Sequence, residues 1–244
     1  MKPATSAPKL RINIGCGRAP TEGWLNFDNS FSLKLSKYPV IISILRRLGW
    51  LGKAQIENLS FQRDAAVAYC DARKHIPIPD GSAEVVYSSH MVEHLDPEEC
   101  IVHLQEVKRC LCAGGIVRLA LPNLRWHVSN YINSGDADEF VKRTYLGRHL
   151  PKGIRSKLTA LILGEREYHV WMYDERSAKG LLERNGFEDV TILESGRTNI
   201  EHSDPLNLSE RSPESLFVEG RNPSAIGKLR HDAKMHEAVE RADS

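Results

Sequence analysis

No stretch of this 244-residue chain approaches the ~18 unbroken apolar residues a membrane-spanning helix needs, so no transmembrane span is expected. Excess charge is missing too: 33 Lys plus Arg stand against 32 Asp plus Glu, so no global field draws the chain to nucleic acid. Residues 1–9 lack the apolar core of a signal peptide and read as a flexible terminus. Cysteines are few, at 16, 70, 100, 110 and 112. The odd count, with no second pair to complete a zinc site beside Cys110-x-Cys112, reads as reduced, buried thiols in a cytoplasmic protein. Acidic residues are absent from Asn29 to Ile56, while Lys34, Lys37, Arg46, Arg47 and Lys53 lie in that stretch.

What is present alternates between strand-like and helix-like segments. Leu10–Ile14 runs into Gly15-Cys16-Gly17, Trp24–Phe27 ends at Asp28, and Ala65–Cys70 ends at Asp71. Ala83–Ser88 follows the turn Pro79-Asp80-Gly81, and Ile116–Leu121 is introduced by two glycines and ended by Pro122. Residues 97–111 carry apolar side chains at helical spacing behind Asp96, a natural N-cap, and Pro97, a natural first helical residue. Asp174 opens another helix through Leu181-Leu182, and the strands Val190–Leu193 and Ser215–Val218 close the series. Strands separated by helices make a parallel α/β sheet. The expected domain spans 10–221, with a polar tail over 222–244.

In such a sheet, ligands bind beyond the carboxyl ends of the strands. Those ends carry, in order, a glycine turn, an acid suited to ribose hydroxyls, an acid suited to an adenine amino group, and Ser88-Ser89-His90. Any one of these recurs by chance or as a plain turn residue; the ordered series is far harder to obtain by accident.

At these residues the chain resembles class I S-adenosylmethionine-dependent methyltransferases. "LRINIGCGRAP" looks like their first motif, "CDA" like the end of their third strand, and "IPDGSAEVVYSSHMVEHL" like their fourth. "VKRCLCAGGIVRLALPN" looks like the helix, turn and fifth strand that complete the nucleotide half. The nearest likeness is to small predicted methyltransferases associated with bacterial glycan and polysaccharide biosynthesis. They share an insertion after the second strand, a late "HVWMYDERSAKGLLERNGF" and a final "ESLFVEG". The resemblance implies a Rossmann-like, seven-stranded, mostly parallel sheet of order 3-2-1-4-5-7-6 with the seventh strand antiparallel and helices on both faces. The first crossover helix is shortened, because few residues separate Ile14 from Trp24. It also implies S-adenosylmethionine as cofactor. Gly15, Cys16 and Gly17 would border its methionine part, Asp28 its ribose, Asp71 and the Ala72 amide its adenine, and Ser88 and Ser89 its sulfonium. The expected reaction is O-methylation of a small-molecule or glycan-type acceptor. Insertions over 29–60 and 123–172 would be a basic amphipathic segment and an acceptor-side helical segment.

"SSHMVEHL" contains His90-x-x-Glu93-His94, a pattern that in one class of zinc peptidase supplies two ligands and a general base. Here the segment is about one turn between a strand and a new helix, too short for that site. Some methyltransferases acting on RNA 3′ ends or quinone precursors carry Glu-x-x-Glu-His here and bind a divalent ion. This chain has His90 in place of the first Glu, with His127 later. The rival readings are thus a metal-dependent enzyme using His90, Glu93 and His94, or a non-catalytic cofactor-binding protein. The adopted expectation is no bound metal, with His90 taking the acceptor's proton. His169, Trp171 and Tyr173 read either as an acceptor-side cluster or as core aromatics. For residues 34–53, the bland reading is an amphipathic cap on the sheet edge. The sharper one is a lid near the pocket that meets an anionic membrane, peripherally at the inner surface, or a lipid-linked acceptor.

Overall fold

The computed structural model describes residues 9–147, 153–163 and 168–223. Apart from residues 9, 222 and 223, the expected flexible start and polar tail lie outside them. Seven strands, β1 (Leu10–Ile14), β2 (Leu25–Asp28), β3 (Val67–Tyr69), β4 (Ala83–Ser89), β5 (Leu111–Pro122), β6 (Glu188–Leu193) and β7 (Ser215–Arg221), form one sheet. Its order is β3-β2-β1-β4-β5-β7-β6, with β7 antiparallel to both neighbours and the other pairs parallel, the arrangement the sequence led us to expect. The helices are α1 (Phe31–Leu35), α2 (Pro39–Arg47), α3 (Lys53–Asp64), α4 (Pro97–Cys110), α5 (Leu124–Ser134), α6 (Ala137–Arg143), α7 (Ile154–Leu163) and α8 (Glu175–Arg184). Asp96 caps α4 as expected, accepting from the Glu98 and Glu99 amides at 3.0 and 2.8 Å, with Pro97 in the first turn.

The two-residue period of each strand sorts its side chains between two cores. Val86, Val117, Leu119 and Val218 meet Cys100, Leu104 and Val107 of α4 and Ala178 and Leu182 of α8. Their neighbours Val85, Tyr87, Ile116 and Phe217 point the other way, onto Trp24, Ile200 and Leu206. Those last three come from loops, so over the middle of the sheet this face is closed by loop side chains. A buried ion pair holds that cover down: Arg118 Nη1 lies 2.7 Å from Glu219 Oε1 on neighbouring strands, both side chains essentially inaccessible. Arg118 also donates to the Arg197 and Leu208 carbonyls, and Glu219 accepts from the Thr198 hydroxyl and the Asn199 amide. The pair thus staples the 197–208 loop to the sheet.

Between β1 and β2 the chain makes turns and no helix. The Gly15 and Cys16 amides bond the Phe27 carbonyl directly, folding the glycine turn onto the end of β2. Asn13 donates to the Ala19 carbonyl and the Thr21 hydroxyl, and Asn26 brackets Thr21 from the other side. Side-chain bonds here do what a crossover helix would otherwise do with backbone bonds.

The two insertions meet. Leu35, Leu51 and Leu59 pack with Ile162 of α7, and Asn58 Nδ2 donates to the Ile162 carbonyl at 3.0 Å. Helix α2 turns Ile42 and Leu45 toward this cluster but leaves Val40, Ile44 and Leu48 70%, 54% and 60% exposed. Among the described residues, no helix is long and apolar enough to cross a membrane.

Candidate functional site

A cavity of about 650 Å³ opens where β1, β2 and β4 end. Gly15, Gly17 and Asp28 line it from the strand ends, and His90, Met91 and His94 from the segment after β4. Phe31 and Lys34 of α1 and Lys157 and Leu161 of α7 form the opposite wall. The sequence reading sets the 123–172 insertion on the acceptor side, but not that α1 and α7, more than a hundred residues apart, form one wall.

On the strand-end side, Gly15 has φ +70°, and a Cβ there would sit 2.6 Å from Met91 Cγ. Only glycine fits this position, on conformation and on space. Asp28 is pinned from both sides, Oδ2 accepting from the Gly17 amide (3.0 Å) and Oδ1 from the Ser30 amide (2.7 Å). The short link therefore keeps this acid at the cavity wall. Cys16 is buried beneath the turn. Burial, reinforced by Asp28's charge, pushes its thiol up to about 12, so it stays protonated and serves as packing.

Asp71, Ala72, Ser88 and Ser89 do not line the cavity. Arg73 grips Asp71 with two bonds, Nε to Oδ1 at 2.8 Å and Nη2 to Oδ2 at 3.0 Å, while also bonding Glu99. This fork holds the Asp71 carboxyl below its ordinary range and occupies both oxygens. Ala72 is buried, and its carbonyl faces His103 Nδ1 of α4 at 3.3 Å. Ser88 and Ser89 end β4, Ser88 fully inside.

Around the 3-10 turn Val92–His94 the structure gathers an ionisable cluster. His90 adopts φ +47° and points Nε2 at the Ser215 hydroxyl (2.8 Å) and Nδ1 at Glu93 Oε1 (3.2 Å). Glu93 is completely buried. Its backbone carbonyl accepts from the Val170 and Trp171 amides, docking that segment on the turn and bringing His169 Nε2 to 4.0 Å from Glu93 Oε1. Burial draws the His169 imidazole down to about 4, so it is neutral at pH 7. The sequence grouped His169, Trp171 and Tyr173, and the structure separates them. His169 joins the cluster, Trp171 is half exposed, and Tyr173 lies in the core with its hydroxyl on Cys100. His127 is buried on α5, its ring 5.0 Å from Trp126.

Residues 12–119, just under half of the chain, match the family described as a methyltransferase domain. No curated protein matches. A methyltransferase of known structure from Thermotoga maritima is 13% identical, covering 89% of this chain and 84% of its own with TM-score 0.48. One from Archaeoglobus fulgidus is 17% identical, covering 87% and 86% with TM-score 0.46.

Proposed function

We propose that this chain, whose residues 12–119 form an S-adenosylmethionine-dependent methyltransferase domain, methylates an oxygen of a small-molecule or glycan-type acceptor. One observation carries the reading: a single cavity has the glycine turn and Asp28 on one side and inserted helices on the other. The first side suits the donor and the second leaves room for an acceptor. The second side is partly basic through Lys34 and Lys157, which suits a polar or anionic acceptor. The sulfonium is an activated donor, so the protein's work is to align the acceptor oxygen with the methyl carbon and to remove its proton. His90 borders both regions and is the residue proposed to take that proton.

Radiolabelled methyl transfer into fractionated cell extract, with wild type and His90→Ala, tests this. Wild type should label an acceptor, and His90→Ala should lose ~10²–10⁴-fold in turnover while binding the donor nearly as well. Donor binding without label in any fraction would favour a non-catalytic cofactor-binding protein.

Helix α2 favours one addition, peripheral contact with an anionic membrane through residues 34–53. Val40, Ile41, Ile44 and Leu48 are exposed together on it, with Arg46 and Arg47 in its last turn and Lys37 just before it. An acceptor carried on a lipid would thereby meet the α1–α7 side of the cavity.

A further inference from the structure

Glu93 is fully buried, its Oε2 has no partner among the described residues, and its Oε1 makes no well-aligned hydrogen bond, with His90 Nδ1 3.2 Å away. A buried carboxylate left this way is strongly destabilising, so folds keep one only where a cation or donor meets it. The side chains that bring a nitrogen close to it are histidines: His90, His94 and His169. One nitrogen each from His94 and His169 and one Glu93 oxygen lie within 4.8 Å of one another. Ligand atoms about 2.0–2.2 Å from a shared ion stand roughly 3–4 Å apart, so the separations need to shorten by about 1–2 Å at most. His94 Nδ1 donates to the Tyr168 carbonyl at 2.9 Å, which fixes its tautomer and leaves the Nε2 lone pair free. A backbone carbonyl orienting the far nitrogen is the usual support of a metal-bound imidazole. His169 is held in place by the two amides that follow it, on the Glu93 carbonyl.

We propose that Glu93, His94 and His169 bind one divalent transition-metal ion, of the zinc or manganese type, with its open side toward the cavity that His94 lines. Two imidazoles and a carboxylate suit such ions, whereas calcium and magnesium prefer all-oxygen sites. Three protein ligands leave a position for an acceptor oxygen. The assignment differs from the sequence expectation, which had no metal, and from its rival set: His169 enters, and His90 keeps its bond to Ser215. The ion's role in catalysis rests on the methyl-transfer reading; its binding does not. Bound to the ion, the acceptor hydroxyl would lose its proton to His90 more readily. Its oxygen then attacks the methyl carbon, the carbon–sulfur bond breaks, and the electron pair stays on sulfur as the neutral thioether.

The test is binding, independent of turnover. Tag-free protein, stripped with chelator, is titrated with zinc, manganese and cobalt by calorimetry and, for cobalt, by visible absorption. One ion per chain is expected, with affinity about tenfold or more weaker in His94→Ala and in His169→Ala, and unchanged in the surface variant His75→Ala. Circular dichroism and donor binding establish that each variant is folded. Failure of folded wild type to bind any of the three ions, or equal binding by both ligand variants, overturns the site. Stoichiometric metal binding without methyl transfer to any acceptor would retain the site and overturn the proposed function.

Discussion

Lowering the pH from 7.5 to 5 should cost this fold about 2 kcal/mol through one side chain, His103. The imidazole is fully buried on α4, with Nδ1 on the Ala72 carbonyl and no partner for Nε2 among the described residues. Burial is the main cause that draws it from 6.5 to about 4. The neutral form is therefore the one the folded state keeps, while the unfolded chain takes up a proton near pH 6.5. Stability is complete above about 6.5, falls as the pH drops toward 4, and levels off below. At pH 5 the unfolded ring is almost wholly protonated and the folded ring about one-tenth so, which gives the figure of about 2 kcal/mol. Urea unfolding at both pH values, on wild type and His103→Asn, isolates the effect. Asn places an amide near Nδ1 to keep the Ala72 bond but does not titrate. Shifted groups elsewhere, such as His169, act in both proteins and cancel in the difference. If the two proteins lose stability equally between pH 7.5 and 5, His103 is not the buried neutral base described.

Gly15→Ala should weaken donor binding at least tenfold by calorimetry, because the new methyl meets Met91 in a left-handed turn; unchanged affinity would mean the turn lies away from the donor. Glu219→Gln leaves Arg118 charged and buried, and should lower unfolding free energy by about 3–5 kcal/mol, with faster proteolysis across residues 197–208. A loss below about 1 kcal/mol would show that the loop cover does not depend on the pair. Anionic vesicles should float the protein at low salt and release it at high salt, since each basic residue near the surface contributes about 1 kcal/mol. Val40→Glu with Ile44→Glu should abolish flotation, and a wild type that stays unbound at low salt would make α2 an ordinary surface helix.

The sheet was legible because its information is local. Two-residue alternation, Gly15-Cys16-Gly17, Asp96-Pro97 and Gly114-Gly115 each act within a few residues, and the resemblance they support gave the strand order that is found. The short link between Ile14 and Trp24 likewise ruled out a full crossover helix on length alone.

Long-range packing decided the rest. Arg73 stands two residues from Asp71, but sequence pattern does not say that it takes both carboxylate oxygens while also reaching Glu99 of α4. The stripe Ile41, Ile44, Leu45 and Leu48 was readable as helical, but a stripe does not say which side meets a partner. Only the packing of α1, α3 and α7 shows that Leu45 turns inward while Ile44 and Leu48 face solvent. Glu93-His94 stood out from the start, but its third histidine lies 75 residues on in the chain. What joins them is a pair of backbone amides on the Glu93 carbonyl, a contact that side-chain pattern does not encode. Local chemistry thus determined the elements and the strand-end side of the cavity. The opposite wall and the histidine cluster exist only because separate insertions fold back over the same strand ends.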